Sequence, residues 1–198
     1  MDSISSAKLY RKKISTVAAR LLAEGFIQDY HQAKLKAVKS LGLSDSVDLP
    51  SNEEVEAELK LQQSMLDTSS HEKLIRSMRI QALEAMQEFE EYTPRLTGPV
   101  LDGTATQYSP IEIQVFSDSP KDMVIKLLDL QVPFETEDRK IRLSKINTQL
   151  VPVYCFGMGE YDLELTSLEP NSIRQSPLSP INGLPMERAS IKKLKNML

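Results

Sequence analysis

The chain has one cysteine (Cys155), no tryptophan and two histidines (His31 and His71) in 198 residues. One thiol builds neither a disulfide framework nor a cysteine-based zinc site. Two histidines far apart in sequence supply no local metal cluster. Long apolar runs are also missing. The longest, such as Val151–Phe156, fall far short of a bilayer span, so no membrane contact is expected. The polar, basic stretch Met1–Lys13 lacks the apolar core of a secretory signal. With a lone thiol, this points to the cytoplasm. An excess of one charge is missing too: 24 Lys+Arg stand against 28 Asp+Glu, a net charge of −4. That mild acidity excludes a general nucleic-acid coat and leaves room for a local basic groove. Carboxylates remain as the only plentiful reactive groups.

What is present is ordinary for a folded protein: 40 % hydrophobic and 26 % charged residues, a length for one average domain or two small ones. The apolar period divides the chain near Pro94. Before it, every periodic segment reads as helix. Ala7–Ala23 carries Leu9, Ile14, Val17, Ala18, Leu21 and Leu22 and stops at Gly25. Asp29–Leu41 carries Ala33, Leu35, Ala37, Val38 and Leu41 and stops at Gly42. Ser51 and Glu54 form a capping box for a third helix to about Leu66, with Val55, Leu59 and Leu61 or Leu66 inward. Ser69 and Glu72 form a second box. It opens a long helix through Leu74, Ile75, Met78, Leu83, Met86 and Phe89 that ends before Pro94.

After Pro94 the period becomes 2. Ile111, Ile113 and Val115 alternate with Glu112, Gln114 and Phe116 in a strand. Ser119-Pro120 reads as an N-cap and first helical residue for a helix to about Leu130. Short strands are expected at Phe134–Thr136, Lys140–Leu143, Val151–Phe156 and Tyr161–Leu168, with a hairpin turn at Gly157-Met158-Gly159. Residues 169–187 hold four prolines and read as an extended loop; Ser190 caps a basic helix to Leu198. The expected class is α+β. Residues 1–93 form a helical region of about four helices, and 94–198 an α+β region with a Pro-rich loop and a C-terminal helix.

The stretch 94–118 reads PRLTGPVLDGTATQYSPIEIQVFSD. It resembles the nucleotidyltransferase superfamily, which includes DNA polymerase beta and the minimal nucleotidyltransferases. That signature is a Gly-Ser/Gly/Thr turn, a strand bearing Asp-x-Asp about ten residues on, and a third acid on a neighbouring strand. Gly103-Thr104 occupies the turn, and Ser109-Pro110-Ile111-Glu112 the Ser-Asp-Ile-Asp position. Glu164, with Asp162 as its competitor, occupies the third-acid strand. Nearly the whole chain is similar to a proteobacterial family described as nucleotidyltransferase-like. The shared segments are Pro94–Ala105, the Ala33–Ala37 helix and the Pro185–Ser190 tail.

The resemblance implies a small mixed sheet packed with the helical half, and Mg²⁺-dependent transfer of a nucleoside monophosphate from an NTP. The acceptor would be a hydroxyl of a small molecule, a protein or RNA. Glu112 and Glu164 would be catalytic and, with Asp162, ligate Mg²⁺. Gly103 and Thr104 would cradle the triphosphate; apart from the resemblance, the bidentate guanidinium of Arg95 makes it a candidate phosphate clamp. The chemistry is coherent. Two cations activate the attacking hydroxyl and bridge the triphosphate, and Mg²⁺ takes hard oxygen ligands. The departures are as definite. The first strand acid is Pro110, and in the alternative register the second is Gln114. These motivate the alternative, a catalytically degenerate binding or interaction module whose helical half meets a protein partner.

Ordinary readings stand beside these. Glu112 alone is a solvent-facing strand residue, and Arg95 a surface ion pair. Arg139, Lys140 and Arg142 read as a solvated hairpin. Arg188, Lys192, Lys193 and Lys195 read as complementing the last helix dipole. His31 and His71 fall on polar helix faces, Cys155 reads as a buried small hydrophobe, and Met65, Met78 and Met86 as core.

Overall fold

A computed structural model describes residues 2–25, 27, 29–65, 68–144 and 146–198. It forms two compact units. The first comprises residues 1–71 with 106–108 and 180–182; the second comprises 72–105, 109–179 and 183–198. Among the described residues no helix is long and apolar enough to cross a membrane.

The first unit contains α1 (Asp2–Ala23), α2 (Tyr30–Ser40) and α3 (Asn52–Met65). Asp29 caps α2 by accepting from the Gln32 N–H at 2.8 Å. The box at α3 closes in both directions. The Ser51 N–H donates to the Glu54 carboxylate at 2.6 Å, and the Glu54 N–H to the Ser51 hydroxyl at 3.1 Å. Ile14, Ala18, Ala37, Val38, Val55 and Leu59 interlock as the core. Four expectations fail here, since Leu9 of α1 and Leu35 of α2 are exposed. Leu61 and Met65 are exposed as well, because Val55 and Leu59, four apart, fix the inner face of α3 and leave both outside it. Leu66 lies outside the described residues.

The second unit begins within α4 (Thr68–Glu88). That helix opens at Thr68, one residue before Ser69. A 3-10 turn, Glu90–Tyr92, leads to β1 (Arg95–Thr97), α5 (Gly98–Asp102), β2 (Ile111–Phe116) and α6 (Pro120–Asp129). Then come β3 (Glu135–Arg142), β4 (Thr148–Met158), β5 (Tyr161–Leu168) and α7 (Ile191–Lys195). Ser119 and Ser190 cap α6 and α7, accepting from the N–H groups of Lys121 and Lys193. The two short strands expected around 134–143 are one continuous strand, β3. Strand β4 runs on through Gly157, which pairs with Asp162, and the reversal falls at Gly159-Glu160 instead. Gly159, at φ +64°, takes the left-handed conformation that a tight hairpin requires.

The sheet order is β1-β2-β5-β4-β3, with β2 and β5 parallel and the other pairs antiparallel. One face is apolar. Ile111, Ile113, Val115, Leu163 and Leu165 pack with Met78, Met86 and Phe89, and with Met123 and Leu127 of α6. Strand period 2 then sends Glu112, Gln114, Glu164 and Cys155 to the opposite face. There, Phe116, Val151, Leu168 and Ile141 form a small apolar patch. The result is an α+β fold that leaves one face of a mixed sheet for polar groups.

Candidate functional site

The parallel register of β2 and β5 sets Glu112 directly beside Glu164. On the other side of Glu112, β1 places Thr97 opposite it. The chain then turns sharply at Gly98, whose φ of +68° favours glycine. A Cβ at Gly98 would sit 2.6 Å from the Glu112 carboxyl carbon and from one of its oxygens. The carboxyl group thus packs on a bare Cα. Burial lifts Glu112 to about 7; Glu164 and Asp102 push the same way, and Arg139 opposes them.

Glu164 has a fixed partner. Arg139 of β3 reaches across β4, and its Nη1 donates to Glu164 Oε2 at 2.5 Å. The same guanidinium also holds Glu137. Arg139 is therefore part of the polar face, not of a hairpin turn. Cys155, opposite Glu164 on β4, is half-buried on this face rather than in the core, and burial and Glu164 raise its thiol. Asp162 is on the same strand and face as Glu164, but exposed, two residues away.

Gly103 and Thr104 lie at the far end of α5 from Glu112. The N–H groups of Gly103, Thr104 and Ala105 all point to the Pro99 carbonyl, those of Thr104 and Ala105 at 2.9 and 3.1 Å. Arg79 of α4 takes the next carbonyls, Val100 at 3.1 Å and Leu101 at 2.9 Å. This turn closes a helix. The glycine against the acid pair is Gly98, from the same Pro94–Ala105 stretch.

Arg95 faces the polar side opposite Gln114, and its Nη1 donates to the Thr93 and Pro94 carbonyls at 3.0 and 2.9 Å. Its neighbour there is Arg188, whose place on this face goes beyond the helix-dipole role expected from the sequence. Leu96 and Ala189 exchange backbone hydrogen bonds at 2.9 Å each, a one-residue extension of the sheet beyond β1. The Arg188 guanidinium lies 5.2 Å over the Phe116 ring. Its Nε donates to Gln114 Oε1 at 2.7 Å and its Nη1 to the Ser172 carbonyl at 2.8 Å. Nη2 is buried with no acceptor. An unsatisfied buried donor costs about 1–3 kcal/mol. Burial, with Arg95 adding, lowers Arg188 to about 10. The sequence signal for Arg188 was the Pro185–Ser190 tail; its spatial role was not visible there.

These residues do not fit a two-cation centre. Strand β2 supplies a single acid, between Pro110 and Gln114, and a guanidinium already neutralises Glu164. Among the described residues, no three His, Cys, Asp or Glu side chains converge as metal ligands. A scan of protein-family models, a search of curated proteins and a search of solved structures each return no match to this chain.

Proposed function

We propose that this chain is a nucleotidyltransferase-like binding module that takes a nucleotide on the polar face of its sheet without carrying out transfer. The observation that carries this reading is the Arg139–Glu164 pair beside Glu112. In a transferase of the resembled type, divalent cations offset the clustered acids. Here a guanidinium offsets one acid, and burial keeps the other partly protonated near neutral pH. Glu112, able to donate a proton from its carboxyl, is suited to a base or ribose oxygen, and Gln114 offers an amide.

One feature favours active transfer instead. The two carboxylates are immediate cross-strand neighbours, and a divalent cation displacing Arg139 would relieve the raised proton affinity of Glu112. The test is a labelled-NTP transfer assay with Mg²⁺ or Mn²⁺, paired with calorimetric titration of the same nucleotides. The module reading expects NTP binding little changed by chelation, and no transferred label. Metal-dependent transfer that disappears in Glu112→Ala/Glu164→Ala would overturn it. Arg139→Ala sharpens the choice: it frees Glu164 and should raise divalent-ion affinity about tenfold if the acids can act together.

A further inference from the structure

We propose that Arg188 and Arg95, with Gln114 between them, form a binding site for a phosphoryl group. This deepens the nucleotide reading by naming the groups that would take its phosphate, and it is tested separately from it.

The two arginines meet at one strand position, and Arg95 is near enough to disfavour the charge on Arg188. Arg95 is the cross-strand partner of Gln114, and Arg188 donates to the Gln114 amide oxygen at 2.7 Å. Every acceptor they use is neutral. Arg95 has the Thr93 and Pro94 carbonyls; Arg188 has Gln114 and the carbonyls of Ser172 and Ile173. No salt bridge reaches either arginine among the described residues. The acid on the neighbouring strand, Glu164, is committed to Arg139. Two cations held on one face without a counter-ion repel each other, and the buried Nη2 of Arg188 still lacks an acceptor.

A phosphoryl group answers both deficits. It carries about 1.5 to 2 negative charges at neutral pH and three acceptor oxygens, enough to bridge two guanidinium forks. A carboxylate has one charge and two oxygens, which a single fork saturates. A phosphate spanning the Nη1–Nη2 edge of Arg188 would take over from the Ser172 and Ile173 carbonyls, the neutral acceptors that Nη1 now uses and that a charge-assisted bond outcompetes. Phe116 keeps the Arg188 plane in place from beneath.

The experiment is calorimetric titration and thermal unfolding of the full chain with inorganic phosphate, pyrophosphate and AMP, against sodium chloride of equal ionic strength. Phosphate and pyrophosphate should bind and raise the melting temperature where chloride does not. AMP binding tighter than phosphate identifies an ester as the ligand; equal binding identifies free phosphate. Arg188→Gln and Arg95→Gln should each weaken binding by about tenfold or more, with Arg188→Lys in between. If Arg188→Gln does not fold, Arg95→Gln, at a half-exposed position, carries the comparison alone. No binding of any of the three probes by the native chain at about 10 mM overturns the proposal. So does undiminished binding in the folded variants. An NTP that binds equally well to both variants keeps the nucleotide reading and removes this site. Arginine-dependent pyrophosphate binding with no preference for nucleotides does the reverse.

Discussion

The helical unit and the sheet face use the same charged residues in opposite ways. In the helical unit, Arg11 is shared by Asp48 and Glu54, and Lys12 meets Glu58. The Arg11 guanidinium holds Glu54 below the usual carboxylate range. Lys34, whose amine burial pushes down, is satisfied by the Pro50 carbonyl at 3.1 Å and Asn52 at 2.7 Å. On the sheet face, Glu112 is driven up and Arg188 down, each toward its neutral form, and Arg188 keeps an unused donor. Satisfied charges describe a scaffold. The sheet face keeps charged groups that the fold itself does not compensate, the property on which the proposed ligand site rests.

Paired glycines offer the sharpest way to break this comparison. Gly98 and Gly42 have nearly the same φ, +68° and +64°, but a Cβ at Gly98 would strike the Glu112 carboxyl, and one at Gly42 would meet nothing within 4 Å. Gly98→Ala should cost about 3 kcal/mol in chemical denaturation, and Gly42→Ala about 1 kcal/mol from backbone strain alone. Equal losses would show that the packing of Glu112 on Gly98 carries no weight.

The next effect comes from pH. A carboxyl lifted from 4.5 to about 7 on folding binds its proton more tightly in the native state. Its favourable contribution is complete below about pH 4.5 and fades as pH rises through 7, by at most about 3 kcal/mol. Glu112→Gln should therefore leave stability at pH 4 almost unchanged, raise it at pH 8, and flatten the profile between. A variant less stable than the native chain at pH 8 would refute the raised value.

The smallest effect belongs to the helical unit. Arg11→Ala should lose about 0.5–1 kcal/mol, and less in high salt, because its partners Asp48 and Glu54 are solvent-exposed. A loss matching Gly98→Ala would erase the distinction between the two regions.

Much of this fold is legible in the sequence where burial imposes a period. The α3 capping box, the Ser119 cap and strands β2 and β5 all follow from local pattern. Strand β3 is legible only at its two ends, because it is an edge whose middle carries no apolar pattern. Its run Glu135–Lys140 buries almost nothing, so no apolar alternation marks it. Glu112 and Glu164, candidates by sequence, are set side by side by the strand register. Gly98, Arg139 and Arg188 were not assigned their places, because each depends on a partner strand. Gly98 meets Glu112 through β1–β2 pairing, Arg139 meets Glu164 across β4, and Arg188 arrives on the segment bridged to Leu96. Linear spacing carries none of these registers.

The parallel pairing of β2 with β5 has a kinetic consequence. All of α6, β3 and β4 lies between the two strands in sequence, so the acid pair exists only once a long loop has closed. Mutual repulsion of Glu112 and Glu164 is thus felt at closure, not while local helices and hairpins form. If the strands dock in the transition state, alkaline solution slows refolding and leaves unfolding little altered. If they dock afterwards, unfolding accelerates instead. The pH dependence of the two chevron arms thus reports when this face of the sheet is assembled.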